Sequence, residues 1–265
     1  MKPKLIVSGA AGRMGRRIIS IAIDAGQFDI IAAVEKKEHP DNGKDAGVLA
    51  GVSPINIKLS DIYPAGADIV IDFSTPAAMD ASVDYCLKNG VPLVLGTTGL
   101  SAEQMLKIEK ASEKTAIIHA TNMSLGMNVL FTLVGKVASM LGEEYDIEIV
   151  EEHHRFKQDA PSGSALTLAE NICVETGKKF PDAIVYGRSG KSCARQKGTI
   201  GIHAVRAGDI VGKHSVMFTT LGETVTLTHN AHSRDGLARG ALRAAEWLIG
   251  KNAGLYSMAD VLGLK

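Results

Sequence analysis

The densest group of chemically active side chains lies in one short segment, Glu151-Glu-His-His-Arg-Phe-Lys157. Histidine exchanges protons near neutral pH, and lysine can donate a proton or bind a carboxylate. Alternate side chains of an extended strand share one face, which would place His153, Arg155 and Lys157 together. If the strand ends at His154, both histidines reach a single pocket instead. Either arrangement predicts a site for proton transfer.

The following segment, Pro161-Ser-Gly-Ser164, precedes a predicted helix over Ala165–Val174. Proline is compatible with the first turn of a helix, serine caps helix ends, and the first amides of a helix bind anions. A cationic strand end followed by such a helix start predicts a small substrate with more than one carboxylate.

Three other interpretations apply to this region. A solvated charged loop with a helix cap would explain an isolated His–Lys pair. Metal binding is disfavoured, and no metal is predicted, because adjacent histidines point apart and no Cys or carboxylate follows at ligand spacing. Nucleic-acid binding is disfavoured by the balance of 29 Lys+Arg against 29 Asp+Glu and by only 5% aromatic residues. The remaining histidines are interpreted as structural or surface residues: His39, His119, His203, His214, His229 and His232.

A glycine-rich turn, Gly9-Ala-Ala-Gly-Arg-Met-Gly15, follows the first apolar run and opens the first predicted helix. Glycines at this spacing permit a tight turn, close approach of a pyrophosphate and close helix packing; a turn without a ligand is the alternative. Glu35 lies where an acidic side chain binds the adenosine ribose of a dinucleotide. Because Lys36 beside it stands where a 2′-phosphate would bind, we predict that both NADH and NADPH are used.

Two further loops lie at the carboxyl ends of predicted parallel strands, the edge at which open α/β sheets bind ligands. They are Gly96-Thr-Thr-Gly99 and Ala120-Thr-Asn-Met123. Their backbone amides and polar side chains predict contacts with the nicotinamide and its ribose.

The elements that position these residues fall into two groups. In the first, consecutive apolar residues predict buried strands separated by helices, which indicates a doubly wound parallel sheet of the α/β class. The predicted strands are Lys4–Ser8, Ile30–Val34, Asp68–Phe73, Pro92–Leu95 and Ala116–His119, and the predicted helices are Arg13–Ala25, Ala77–Lys88 and Ser101–Ser112. The intervening Lys36–Asp61, rich in charge, glycine and proline, is predicted to be mainly loop.

The second group has the pattern of an α+β domain. We predict a long helix over Leu125–Met140, then three extended runs separated by turns at Arg206–Asp209 and Leu221–Glu223. These runs predict antiparallel hairpins in a mixed sheet. A last helix is predicted over Gly236–Ile249.

The composition is that of a soluble globular protein: 265 residues, of which 45% are hydrophobic and 22% charged. Three widely spaced cysteines predict reduced thiols rather than a disulfide framework. The sequence contains neither a long uncharged apolar segment nor a signal-peptide pattern. We therefore expect a cytoplasmic protein.

Together these segments resemble the motifs of the 4-hydroxy-tetrahydrodipicolinate reductase family, also called dihydrodipicolinate reductases. The resemblance rests on Ser8–Gly15, Gly96–Gly99, Asn122–Ser124, Gly198–Gly201, Arg206–Gly212 and, most specifically, Glu151–Ser164. It implies reduction of hydroxy-tetrahydrodipicolinate, with loss of water, to tetrahydrodipicolinate in lysine and diaminopimelate biosynthesis. The hydride would come from NADH or NADPH and go to ring carbon C4.

The resemblance also implies roles for individual residues. His153 would be the proton donor and acceptor and Lys157 the proton donor. The substrate would be held by His154, Gly163 and Ser164, with Ser162 and Thr98 as further contacts. The dinucleotide would be bound by Gly9, Ala10, Ala11, Gly12, Arg13, Met14, Glu35, Lys36, Gly96, Thr97, Thr98, Ala120, Thr121, Asn122 and Met123.

The family architecture implies a Rossmann-type dinucleotide-binding domain over residues 1–124, to which residues 235–265 return. A substrate-binding and oligomerisation domain over residues 125–234 would form a homotetramer through its mixed sheet. Lys36 stands where arginine is common in the family, so the preference between NADH and NADPH stays open. Two alternative functions are a reductase of another small imino or keto acid and a non-catalytic dinucleotide sensor, which would have no use for His153 and Lys157.

Overall fold

The protein, analysed as a computed structural model that describes residues 1–264, divides into two compact units. Unit 1 comprises Met1–Leu125 together with the chain from Arg234 onward, and unit 2 comprises Gly126–Ser233.

Unit 1 is built on a seven-stranded sheet in which all paired neighbours are parallel. Its strands are β1 (Lys4–Ser8), β2 (Asp29–Val34), β3 (Leu59–Ser60), β4 (Ile69–Asp72), β5 (Leu93–Leu95), β6 (Ala116–His119) and β12 (Gly254–Tyr256). Their spatial order is β12-β6-β5-β4-β1-β2-β3. The order reverses between β1 and β4, which is the point at which sheets of this kind bind ligands.

Helices cover both faces of this sheet. They are α1 (Arg13–Ala25), α2 (Ala46–Leu49), α3 (Pro76–Asn89), α4 (Ala102–Ser112), α7 (Asp235–Leu248) and α8 (Met258–Leu262). Leu5 and Val7 of β1 pack in one cluster with residues of α1 and α7, whereas Ile6 between them packs with residues of α3 and α4. Successive side chains of a strand point to opposite faces, so both faces of a doubly covered strand must be apolar.

Unit 2 contains a five-stranded mixed sheet. Its strands are β7 (Asp146–His153), β8 (Ile184–Tyr186), β9 (Ile200–Arg206), β10 (Gly212–Thr220) and β11 (Glu223–Ala231), in the order β11-β10-β7-β9-β8. The helices α5 (Leu125–Leu141) and α6 (Gly163–Thr176) pack on the sheet in one core, to which α5 contributes Phe131, α6 Leu168 and strand β10 Phe218. Strand β7 therefore alternates strictly between half-buried and buried residues.

The predicted fold class is confirmed, and most predicted elements lie within one or two residues of the observed ones. The segment Lys36–Asp61 is mainly loop, as predicted, and holds only the short elements α2 and β3, whereas β8, β12 and α8 were not predicted. One expectation was wrong. The turn at Arg206–Asp209 does not join a hairpin, because β7 lies between β9 and β10 and pairs with both. A turn signal marks where a chain reverses, but the strands that pair are chosen by packing.

Two general features complete the fold. None of the helices among the described residues is long and apolar enough to cross a membrane. Within the same residues, no group of three or more His, Cys, Asp or Glu side chains has the arrangement of a metal site. The three cysteines are all unpaired thiols.

Candidate active site

The proton-transfer residues predicted in unit 2 begin at the end of β7. The alternation of this strand places the side chains of Glu151 and His153 on its buried side, in line with Ile147 and Ile149. The strand ends at His153, so Lys157 lies in the turn that follows, where its amide donates to the carbonyl of His154 over 3.1 Å. The side chains of His153, Arg155 and Lys157 therefore do not share one face of a strand.

Glu151 is completely buried and accepts four hydrogen bonds. Its Oε2 lies 2.5 Å from Nδ1 of His153 and 2.9 Å from NH1 of Arg206, and its Oε1 lies 2.7 Å from NH2 of Arg206 and 3.0 Å from the amide of Ser162. Burial alone would raise the pKa of this carboxyl, but the bonds from His153, Arg206 and Ser162 outweigh it and hold the pKa at about 2. The group is a carboxylate at neutral pH.

The ring of His153 is enclosed on several sides. Because the ionised Glu151 can only accept, Nδ1 of His153 carries the proton of their hydrogen bond. The ring of His214 meets it edge to face, with centroids 5.1 Å apart. The backbone of Gly212 lies close to Nε2, since a Cβ at Gly212 would be 3.1 Å from that atom. The other nitrogen, Nε2, is the atom left for proton exchange.

His214 belongs to the buried frame of the site. Burial, followed by the nearby His153, lowers the pKa of His214 to about 3, so this ring is neutral at physiological pH. Its Nε2 lies 3.0 Å from Oγ of Ser162, and that hydroxyl also accepts from the amide of Ala165 to cap α6. Ser162 is 2% exposed and its hydroxyl is engaged twice within the protein, so it holds the helix start in place.

The remaining predicted residues of unit 2 lie around this frame. Nζ of Lys157 lies 2.8 Å from Asp159, whose pKa is lowered because the bond from Lys157 outweighs the effect of burial. His154 and Ser164 are half-buried. Gly163, the first residue of α6, is exposed, and a Cβ there would meet nothing within 4 Å. The start of α6 is thus accessible to an anion.

Sequence reasoning misses the supporting residues of this cluster. The residue pattern gives Glu151 no role, places Arg206 in a turn, and makes His214 a structural residue without a named partner. Glu151 and His153 are two residues apart in one strand, which places them on one face, and this spacing is the available signal. The contacts of Arg206 and His214 come from other strands, so spacing could not predict them.

Unit 1 holds the predicted dinucleotide residues at the carboxyl edge of its parallel sheet. Gly9 has a positive φ of 72°, and a Cβ there would lie 2.5 Å from the carbonyl oxygen of Phe73 at the end of β4. A Cβ at Gly15 would overlap the carbonyl oxygen of Gly9. Gly12 caps α1 without a side-chain bond to the helix, and the first turn of α1 contains no acidic residue. These features fit a pyrophosphate bound at the helix start.

Glu35 and Lys36 follow β2 at the same edge. Oε2 of Glu35 accepts from the amide of Ala11 over 3.3 Å and its Oε1 from the amide of Lys36 over 3.1 Å, so the carboxylate lies against the glycine-rich turn. Lys36 is exposed. Arg13 and Met14 occupy the first turn of α1, with Ala10 and Ala11 buried just before it.

The two other predicted loops follow β5 and β6. Thr98 and Thr121 are exposed, and Ala120 and Asn122 are half-buried. Thr97 and Met123 are 3% and 1% exposed, so their side chains lie inside the protein. The carboxyl edge therefore combines an open helix start, a carboxylate beside it and two polar loops, a set that fits a dinucleotide.

A buried carboxylate that was not predicted stabilises the loops at this edge. Asp72, at the end of β4, is fully buried and accepts hydrogen bonds from the hydroxyls of Ser74, Ser82 and Thr97. The ring of Phe73, next in the chain, occupies the space that a Cβ at Gly96 would need. Asp72 and Phe73 thus position the loop that follows β5.

Comparisons with known proteins show the family to which the chain is similar. The family model described as "Dihydrodipicolinate reductase, N-terminus" matches residues 3–123, and "Dihydrodipicolinate reductase, C-terminus" matches residues 126–262. The 4-hydroxy-tetrahydrodipicolinate reductase of Syntrophus aciditrophicus is 44% identical over 265 residues, covering 99% of this chain and 99% of the relative. That of Anaeromyxobacter dehalogenans is 45% identical, with 99% of this chain and 98% of the relative covered.

Solved structures show the same fold. A dipicolinate-bound dihydrodipicolinate reductase from Paenisporosarcina sp. TG-14 matches with a TM-score of 0.74 at 22% identity, covering 98% of this chain and 99% of that chain. An amine dehydrogenase from Mycobacterium smegmatis matches with a TM-score of 0.61 at 11% identity, covering 97% of this chain and 95% of that chain. The resemblance recognised in the sequence is confirmed by the two family models and by relatives above 40% identity. The chain belongs to the dihydrodipicolinate reductase family of oxidoreductases.

Proposed function

We propose that this chain reduces 4-hydroxy-tetrahydrodipicolinate, with loss of water, to tetrahydrodipicolinate, using NADH or NADPH in the biosynthesis of diaminopimelate and lysine. The observation that carries the proposal is the cluster in unit 2, where a buried carboxylate orients His153 beside the accessible start of α6. Relatives that cover nearly the whole chain bear the name of this reductase. In the overall reaction a hydride and a proton are gained and water is lost.

The cofactor is a nicotinamide dinucleotide held by unit 1. The glycine-rich turn would hold the pyrophosphate, Glu35 the adenosine ribose, Lys36 the 2′-phosphate of NADPH, and the loops after β5 and β6 the nicotinamide end. The bound reduced nicotinamide supplies the hydride, which goes to ring carbon C4 of the substrate. Both cofactors are used because the carboxylate favours the free ribose and the lysine favours the phosphate.

His153 and Lys157 transfer protons. With Nδ1 of His153 bonded to Glu151, the ring can exchange a proton only at Nε2. The ammonium of Lys157, 22% exposed and 2.8 Å from Asp159, remains partly accessible and is the donor. These groups give the site one proton donor and one group that both gives and takes protons.

The two carboxylates of the substrate require two anion-binding positions. The start of α6, at Gly163 and Ser164, supplies one through the positive end of the helix. The half-buried ring of His154 supplies a polar contact beside them. The Paenisporosarcina reductase is dipicolinate-bound in its solved structure. Dipicolinate is a planar dicarboxylate, which supports the same class of ligand here.

Four copies of the chain assemble through the mixed sheet of unit 2. Strand β11 is an edge strand of nine residues, and most of its residues are exposed, including Val225. An open edge of this length is usually covered by another chain or element. Light scattering with size-exclusion chromatography should give a tetramer, and a monomer at micromolar concentration would refute this assembly.

The reaction itself is tested by following the absorbance of NADH and NADPH with substrate generated in place from pyruvate and aspartate semialdehyde by its synthase. We expect oxidation of both cofactors that stops when the synthase is omitted. Tight dinucleotide binding without oxidation would instead support a reductase of another small acid or a sensor.

Variants test the assigned roles. Removal of a positioned proton-transfer group lowers turnover by roughly 10²–10⁴-fold, so we expect losses of this size in His153→Ala and Lys157→Ala with dinucleotide affinity unchanged. Lys191→Ala, which changes the same charge at an exposed position of unit 2, should keep the turnover of the natural chain. Normal turnover in both site variants would remove these two residues from the mechanism.

A further inference from the structure

We propose that Glu151, held by Arg206, is a positioning residue that fixes the tautomer of His153 and thereby makes Nε2 the proton-exchanging atom. The inference rests on the proposed function, because it assigns Glu151 the role of orienting His153, the proposed proton-transfer residue. It follows from the hydrogen bonds of Glu151, which occupy all the acceptor positions of its carboxylate.

The carboxylate of Glu151 has about four acceptor positions, and all four are used. Arg206 takes one position on each oxygen through its two terminal nitrogens, His153 takes the second position on Oε2, and the amide of Ser162 takes the second position on Oε1. All four partners must donate. The neutral ring of His153 therefore has its proton on Nδ1 and a lone pair on Nε2.

Arg206 completes the arrangement and extends it to the loop that carries Lys157. Its NH2 also donates to the carbonyl of Asp159 over 2.6 Å. Asp159 in turn pairs with Lys157. A single buried ion pair therefore connects β7, β9, the loop of Lys157 and, through the Ser162 amide, the start of α6. The groups that act on the substrate are fixed relative to one another through Glu151.

The surroundings keep the ring of His153 in one orientation. His214 of β10 packs edge to face against it, and its neutrality avoids repulsion of a protonated His153. The backbone of Gly212 leaves room at Nε2 that a Cβ would partly fill. Rotation of the ring is opposed by packing, and exchange of its tautomer is opposed by Glu151.

Replacement of Glu151 by glutamine should reverse the tautomer. The Oε1 position faces two obligatory donors, NH2 of Arg206 and the amide of Ser162, whereas the Oε2 position faces one, NH1 of Arg206, beside the Nδ1 of His153, which can donate or accept. The glutamine oxygen therefore occupies the Oε1 position. The glutamine NH2 then faces Nδ1 of His153, and that nitrogen must accept. The ring proton moves to Nε2, where the neutral ring can no longer accept a proton.

The first measurement is nitrogen-15 NMR of histidine-labelled protein, which distinguishes the tautomers directly. We expect the neutral ring of His153 to carry its proton on Nδ1 in the natural chain and on Nε2 in Glu151→Gln. A proton on Nε2 in the natural chain would overturn the proposal, and this measurement does not depend on the folding of any variant.

Kinetics supply the second measurement. We expect kcat to fall by about 10²–10⁴-fold in Glu151→Gln, the range for loss of a correctly oriented catalytic histidine, while KM for NADPH changes less than about threefold. Glu152→Gln is the matched control, because Glu152 is the next residue of β7, points to the opposite face and pairs with Lys213. It should keep the kcat of the natural chain.

A double variant separates positioning from general damage. In the His153→Ala background, Glu151→Gln should lower kcat by less than about threefold. The glutamine oxygen still accepts from NH2 of Arg206 and from the Ser162 amide, so the contacts with the Lys157 loop and with α6 remain, and the ring whose tautomer is changed is already absent. Equal losses with and without His153 would overturn the proposal. If His153→Ala alone keeps normal turnover, the proposed function of His153 fails instead, and the NMR result still decides whether Glu151 fixes its tautomer.

Discussion

Removal of the carboxylate of Glu35 should weaken NADH binding more than NADPH binding. In the structure this carboxylate lies against the glycine-rich turn, 3.3 Å from the amide of Ala11, at the position where the ribose of a dinucleotide would lie. A hydrogen bond to a charged group contributes about 1.5–3 kcal/mol, which corresponds to a change in Kd of roughly 10–100-fold. Glu35→Ala should therefore raise the Kd for NADH by about that factor.

NADPH should respond differently because its 2′-phosphate replaces one of the ribose hydroxyls that Glu35 is proposed to bind. Loss of the carboxylate also removes its repulsion of the phosphate, so the Kd for NADPH should change less than about threefold. Glu38→Ala is the matched control, since Glu38 is an exposed glutamate of the same loop. Nucleotide fluorescence titrations give both constants. Equal changes for the two cofactors, or a similar shift in Glu38→Ala, would refute the placement of Glu35 at the ribose.

Three further predictions concern stability and binding. Gly15→Ala should weaken dinucleotide binding at least tenfold and lower Tm, because the added Cβ would overlap the backbone of the turn. Gly236→Ala, at the start of α7, should change neither, because its Cβ would lie 3.9 Å from the nearest atom. Asp72→Ala should lower the free energy of unfolding by about 3 kcal/mol, since three hydroxyls lose their acceptor. Asp68→Ala, at an exposed aspartate just before β4, should lower it by much less in the same denaturant titration. The pKa of Glu151 is about 2 in the folded chain against 4.5 for an ordinary glutamate, so the ionised carboxylate stabilises the fold fully above about pH 5 and less as the pH is lowered. By roughly pH 3.5 the difference in unfolding free energy between the natural chain and Glu151→Gln should shrink by about 1.4 kcal/mol. A difference that stays constant with pH would contradict the low pKa of Glu151.

The local elements of the first part of the chain could be predicted from sequence because each depends on its own residues. The strand Lys4–Ser8 and the helix Arg13–Ala25 have the observed bounds, since an apolar run, a glycine turn and an amphipathic stretch are all local signals. The short strand β12 was missed for the opposite reason. Only three residues long, it exists because its backbone pairs with β6, far away in sequence.

The candidate site divides in the same way. His153, Lys157 and the Gly163 region were found because their types stand close together along the chain and resemble a specific family pattern. The contact of Glu151 with Arg206 could not be found, because Arg206 lies in β9, a strand that the turn pattern joined to β10 in a hairpin and that pairs with β7 instead. His214 likewise faces His153 only because β10 pairs with β7 on the other side.

The sequence by itself determined the chemical groups: which residues can exchange protons, which turn can hold a pyrophosphate and which helix start can bind an anion. These follow from residue type and short-range spacing, which the backbone preserves in any fold that keeps the local elements. Only the tertiary structure decided the state of those groups. Hydrogen bonds from His153, Arg206 and Ser162 outweigh the effect of burial and keep Glu151 ionised, and the ionised carboxylate places the proton of His153 on Nδ1. Protonation depends on burial and on charges brought close in space, and these are fixed by strand order rather than by sequence order.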